Sequence, residues 1–229
     1  MSADMIPLIS KALGETVYMV AVSMLIATLI GIPLGVLLHT TNKNQILECL
    51  VLNKALGAVV NAVRSIPFVI LMVAIIPLTR LIVGSSIGTT AAMVPLVLAS
   101  VPFIGRQVEP SLREIPEGIV EAAQSMGATP MQIITRVLLP EAMPNIVAQL
   151  TTVVISLVGE SAMAGAIGGG GLGDLAIRYG YQRFRPDIMI ATVVVLIVMV
   201  QFEFIIFYSN FPHRYSFSSL ESSDTIDMA

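Results

Sequence analysis

Tryptophan is absent from this 229-residue sequence, cysteine occurs once, and charged side chains make up only 12% of it. Each shortage excludes something. A lone Cys49 leaves no intramolecular disulfide to be made and reads as a small apolar or interfacial residue. Without Trp, any interfacial aromatic belt falls to Tyr and Phe. Soluble domains carry about 25% charged residues, and no single soluble core hides a chain that is 55% hydrophobic. The solvent for most of this chain is therefore expected to be lipid. A net charge of −3 argues against a nucleic-acid binder.

Catalytic signatures are missing too. There is no G-x-x-x-x-G-K-[ST], so the chain carries no phosphate-cradling loop of its own. There is no H-E-x-x-H and no G-x-S-x-G, and His39 and His213 stand far apart. No cofactor or metal is expected on this chain. Residues 168–173 match G-x-G-x-x-G formally, but they follow an apolar run and no βαβ unit surrounds them. Gly168, Gly169, Gly170 and Gly171 read instead as a sharp, flexible turn. It is either a hinge that lets an outer mouth open or a plain loop.

What is present is a series of apolar runs. Five spans are expected, at about 16–40, 57–78, 87–105, 146–167 and 188–208. The fold class is all-α, polytopic and membrane-embedded. Residues 1–15 read as a loose or interfacial terminus. The first run is too long for a signal h-region of about 7–15 residues, so it is expected to stay in the mature protein. Pro33, Gly31 and Gly35 suggest a kinked first helix that is not broken. The tail 209–229 is Ser-rich and acidic and is expected to be disordered. Placing the N-terminus outside puts seven of the twelve Lys and Arg on the inner side, a thin positive-inside excess.

Charged residues stand out in three places. Arg64 lies within the second run, either snorkelling to an inner interface or facing a docked partner or the inner mouth of a pore. Glu160 places a carboxylate inside the fourth run, three residues before Met163. It either senses the amino group of a passing zwitterion or is protonated and hydrogen-bonded. Arg178, Arg183 and Arg185 crowd one loop, as contacts for an outer partner or merely as solvated cations.

Residues 113–144 form the most polar interruption, with a helix-corner-helix pattern. Ile119, Val120, Ala123 and Met126 make one helical stripe, with Glu117 and Glu121 opposite. Gly127 suits a left-handed helix end, Thr129 an N-cap and Pro130 a first helical position. Ile133, Ile134, Val137 and Leu138 make a second stripe, which Pro140 should end or bend. Such a block is either a surface hairpin joining two spans or a rigid knob that fits another protein, with the small Ala122, Ala123 and Gly127 permitting close approach.

Glu121-Ala122-Ala123, three residues, Gly127, nine residues, then Val137-Leu138-Leu139-Pro140 is similar to the E-A-A-x3-G-x9-I-x-L-P loop of bacterial ABC importer permeases. Only Val137 departs from it. More narrowly, the chain resembles the methionine-uptake, MetI-like subfamily. That resemblance rests on residues 64–68 and 76–80, on 126–133 with Ala128, on 161–166 with Ser161 and Met163, on 170–173 and on 179–181. Glu160 departs from a pattern that commonly has a neutral residue there.

The resemblance implies a five-span subunit of a bacterial inner membrane that works as a homodimer, with its C-terminus in the cytoplasm. Each copy would dock a coupling helix near Glu121–Gly127 onto one of two cytoplasmic ATPase subunits, which bind the ATP and Mg. An extracytoplasmic binding (lipo)protein would deliver L- or D-methionine. Met163 would contribute to a gate on the pore axis, for which a flexible thioether is suited, or it is ordinary packing.

Overall fold

The computed structural model describes residues 5–210, and they are helical nearly throughout, with no strand among them. Ten α-helices follow in order: α1 Met5–Thr40, α2 Leu50–Arg64, α3 Phe68–Ala74, α4 Ile76–Val83, α5 Thr89–Arg113, α6 Glu117–Ser125, α7 Pro130–Ile133, α8 Leu139–Ala164, α9 Gly171–Leu175 and α10 Pro186–Asn210. Three helices are long and apolar enough to cross a membrane: Met5–Thr40, Thr89–Arg113 and the joined run Pro130–Gly169. The pair α2 and α3 counts as a fourth if taken together, and Pro186–Phe202 is a shorter apolar helix. The expected tail lies outside the described residues beyond its first two positions.

Several boundaries differ from the expectation, each for a physical reason. The first helix begins at Met5, not near residue 16. Met5 and Ala12 are buried against Leu172, Leu175 and Ile188, so residues 5–15 are packed and not loose. The second run is not one straight helix. Pro67 has no N–H and disfavours helical geometry in the residue before it, and α2 and α3 meet at a 100° bend. Arg106 does not end the third run, because α5 continues to Arg113. Pro140 neither ends nor bends off a short helix. A π turn at Ile134–Leu138 precedes it, and the Leu139 N–H reaches back five residues to the Ile134 carbonyl. That wider turn carries the helix across the missing Pro140 donor and joins α7 to α8.

The core is built on α1 against α5, with α8 packed on both. Pro33 leaves α1 uninterrupted. Gly31 and Gly35, one turn apart, set the approach. A Cβ on Gly35 would stand 2.6 Å from Val108 Cβ and 2.8 Å from the Gly105 carbonyl oxygen. In a lipid environment, where apolar burial gives helices little reason to associate, such close small-residue contact supplies the attraction. A charged cluster ties α2 to α5. Glu109, with its side chain only 10% exposed, accepts from Arg106 at 2.7 Å and from Arg113 at 2.8 Å. Arg106 also donates to Asn61 Oδ1 at 3.0 Å. Around this core, α1, α2, α4 and α10 present large apolar side chains outward, among them Leu25, Leu29, Val59, Leu81 and Val198. This is the surface a bilayer covers.

Candidate functional site

The block between α5 and α8 leaves the bundle as a projecting knob. Pro116 starts α6 with its φ of −57°, and Glu117 occupies the first turn, where the helix dipole favours an acid. The corner has the chemistry expected from its residues. Gly127 has φ +78°, and nothing lies within 4 Å of where its Cβ would stand. The Thr129 side chain accepts from the Gln132 N–H, and the Gln132 side chain accepts from the Thr129 N–H at 2.9 Å, a complete capping box. Pro130 stands at the first helical position.

The faces of α6 only partly follow the expected stripe. Ala123 is buried and Val120 half-buried, packed against the main core. Ile119 and Met126 point outward, Met126 with 82% of its surface exposed. Hydrophobicity alone placed them inside; the short helix has only enough neighbour to cover a narrow strip. With Ala122, Glu121, Thr129, Pro130 and Met131 also exposed, the knob presents an apolar patch with an acidic flank. Ala128 is half-buried beneath the corner, and Leu139 and Pro140 sit at its base, where the helix turns into the bundle. Ile133, Ile134 and Leu138 are buried as expected.

At the far end of the bundle the glycine run makes a close-packed corner. Gly168, Gly170 and Gly171 have φ of +94°, +81° and +75°. A Cβ on Gly169 would meet the Ala164 carbonyl oxygen at 2.7 Å, and one on Gly171 would meet Thr16 Oγ1 at 2.6 Å. The first N–H groups of α9 are taken by α1: Glu15 Oε2 accepts from Gly171 at 2.9 Å and Thr16 Oγ1 from Leu172 at 2.8 Å. Neither α1 residue was a sequence-level candidate, since nothing local marks a cap supplied from 156 positions away. The loop arginines are engaged within the chain. Arg178 pairs with Asp174 at 2.8 Å, Arg185 with Asp187 at 2.7 Å, and Arg183 lies 4.4 Å from the Tyr179 ring centroid.

Between the two ends lies an open face of α8. Met163 is 49% exposed there, and Glu160, one turn earlier, is half-buried. Ser161 is turned away: it is buried, and its hydroxyl donates to the Val158 carbonyl at 2.7 Å. The same face carries Asn145, Gln149, Thr152 and Ser156, all half-buried or exposed. Steps of three and four residues put these on one side of a helix whose other faces are largely apolar. That spacing is readable in the sequence, where the long hydrophobic run masks it. Arg64 is exposed at the end of α2, and its guanidinium lies 5.6 Å from the Phe103 ring centroid of α5.

Comparison with known proteins places this architecture. Residues 31–210 match the model of a family described as binding-protein-dependent transport system inner membrane component. The chain is 60% identical over 194 residues to the probable D-methionine transport system permease protein MetI of Vibrio cholerae, covering 85% of this chain and 86% of that one. It is 51% identical over 165 residues to the D-methionine transport system permease protein MetI of Escherichia coli K12, covering 72% and 76%. Among solved structures, an inward-facing MetNI methionine ABC transporter superimposes with a TM-score of 0.90 at 46% identity, covering 93% of this chain and 98% of that one. An amino acid ABC transporter at 19% identity, with a TM-score of 0.74, shares the fold.

Proposed function

Because the chain belongs to the family of binding-protein-dependent transport system inner membrane components, in the branch of the MetI methionine permeases, we propose that it is the membrane-spanning subunit of an ATP-driven methionine importer. The observation that carries this reading is the projecting α6, with its left-handed Gly127 corner and outward Ile119, Met126 and Met131. A chain without a phosphate loop needs an energy source, and this knob is built to receive one. Two copies of the chain form the pathway, and each seats α6 in a cleft of a separate ATPase that holds the ATP and Mg. The permease subunit itself performs no hydrolysis. The knob end faces the cytoplasm, so the N-terminus lies outside, and an extracytoplasmic binding protein delivers its cargo to the glycine-corner end.

Transport proceeds by alternating access. When ATP draws the two ATPases together, each α6 moves with its partner, and the helix that runs from Pro130 through α8 to Ala164 carries that motion past Glu160 and Met163. Reversing a two-state balance from 1:99 to 99:1 takes about 5.5 kcal/mol of differential interaction, and the knob is where that difference enters. Met163 closes the pathway as an apolar, deformable constriction, and the glycine corner is where the outer mouth yields. Reconstitution with the cognate ATPase and binding protein, comparing L-methionine, D-methionine and other apolar amino acids, tests the reading. Transport of a different solute with no methionine uptake overturns the substrate; methionine uptake driven by an ion gradient without ATPase overturns the mechanism.

A further inference from the structure

We propose that Glu160 binds the primary ammonium group of the transported amino acid as it passes Met163. This deepens the transport reading above and rests on it.

Three observations converge on this residue. Glu141 and Glu160 are the only charged residues of α8, and Glu141 sits at its first turn, outside the apolar stretch. Glu160 is thus the one ionisable group on the open face inside that stretch. Its Oε2 is sealed from solvent yet has no hydrogen-bond partner, and no cation pairs with the side chain among the described residues. A carboxylate taken out of water without a partner is costly, and it persists where a partner arrives in the working cycle. Finally, Glu160 continues the polar file Asn145, Gln149, Thr152 and Ser156 and lies one turn from the exposed Met163. A file of hydrogen-bonding groups that ends in an unpartnered carboxyl beside a thioether matches a solute with an ammonium head and an apolar body. The cation that the cycle brings to this face is the cargo itself. A sulfur-containing side chain would lie against Met163 while its ammonium sits on Glu160.

The experiment uses the full transporter in proteoliposomes, this chain with its ATPase and binding protein, and follows labelled L-methionine. Glu160→Gln keeps the shape and removes the charge; Glu160→Asp keeps the charge. Glu160→Gln is expected to assemble with the ATPase while uptake per ATP falls about tenfold. Glu160→Asp is expected to recover at least half of that loss. Wild-type uptake by Glu160→Gln overturns the proposal. So does equal loss in both variants with reduced assembly, which assigns Glu160 to packing alone. If the wild-type transporter moves another amine-bearing solute and not methionine, the substrate reading falls; a Glu160→Gln loss on that solute then still supports ammonium binding.

Discussion

Glu15 Oε2 lies 2.9 Å from the Gly171 N–H and accepts its hydrogen bond, joining the first helix to the corner after α8. The adjacent Thr16 does the same for Leu172 from a fully buried position. Thr16→Val keeps the volume and orphans a buried donor, which costs about 1–3 kcal/mol. The purified subunit should lose several degrees of apparent unfolding temperature in detergent, as followed by a thermal scan with size-exclusion readout. An unchanged transition would mean that the corner holds itself.

Gly127 tests the corner without any steric argument, because a Cβ there meets nothing within 4 Å. Its φ of +78° is the whole constraint. Gly127→Val should cost roughly 1–2 kcal/mol in that conformation and distort the knob. ATP-driven uptake is expected to fall at least tenfold with normal membrane insertion. Gly127→Asn, which tolerates the left-handed region, should retain most uptake. Equal behaviour of the two variants would remove the corner from the coupling pathway.

Met126 is almost fully exposed, so its replacement leaves the fold of the free subunit alone. Met126→Asp is expected to weaken association with the ATPase about tenfold or more, roughly 1.4 kcal/mol for each tenfold, with an unchanged unfolding temperature. Co-purification at graded ATPase concentration reads this directly. Full association would place the docking contact elsewhere on the block.

Glu109 compensates two arginines at once. Glu109→Ala leaves the partly buried Arg106 with Asn61 Oδ1 at 3.0 Å as its remaining close partner. Removing one member of a buried pair costs about 3–5 kcal/mol, discounted here because Arg113 is largely exposed. A fall of at least 2 kcal/mol in resistance to denaturant is expected. Glu109→Gln, which still accepts hydrogen bonds, should fall between the two.

Legibility in the sequence followed locality. The Gly127 corner, the Thr129 cap and the Pro130 start were readable because each depends on its immediate neighbours, and the structure has all three. The apolar runs announced helices, but their ends were misplaced wherever partners decided them. Residues 5–15 became helix through Leu172, Leu175 and Ile188, which no local pattern names. Pro67 broke a run that Pro33 and Pro140 did not, and at Pro140 the π turn before it carries the helix past the missing donor. Ser161 and Met163 illustrate the same limit on the candidate site. Both lie next to Glu160 in sequence, and only the angle around the helix separates a core hydroxyl from an open-face thioether.

The π turn at Ile134–Leu138 also sets a phase. One residue beyond the regular repeat turns everything downstream by about 100° about the helix axis. The compass bearing of Glu160 and Met163 relative to the knob is therefore dialled by that single extra position. Deleting one residue from the turn would keep the docking patch and the polar file chemically intact. It would aim them in different directions, so that movement of the patch no longer turns the polar file the same way.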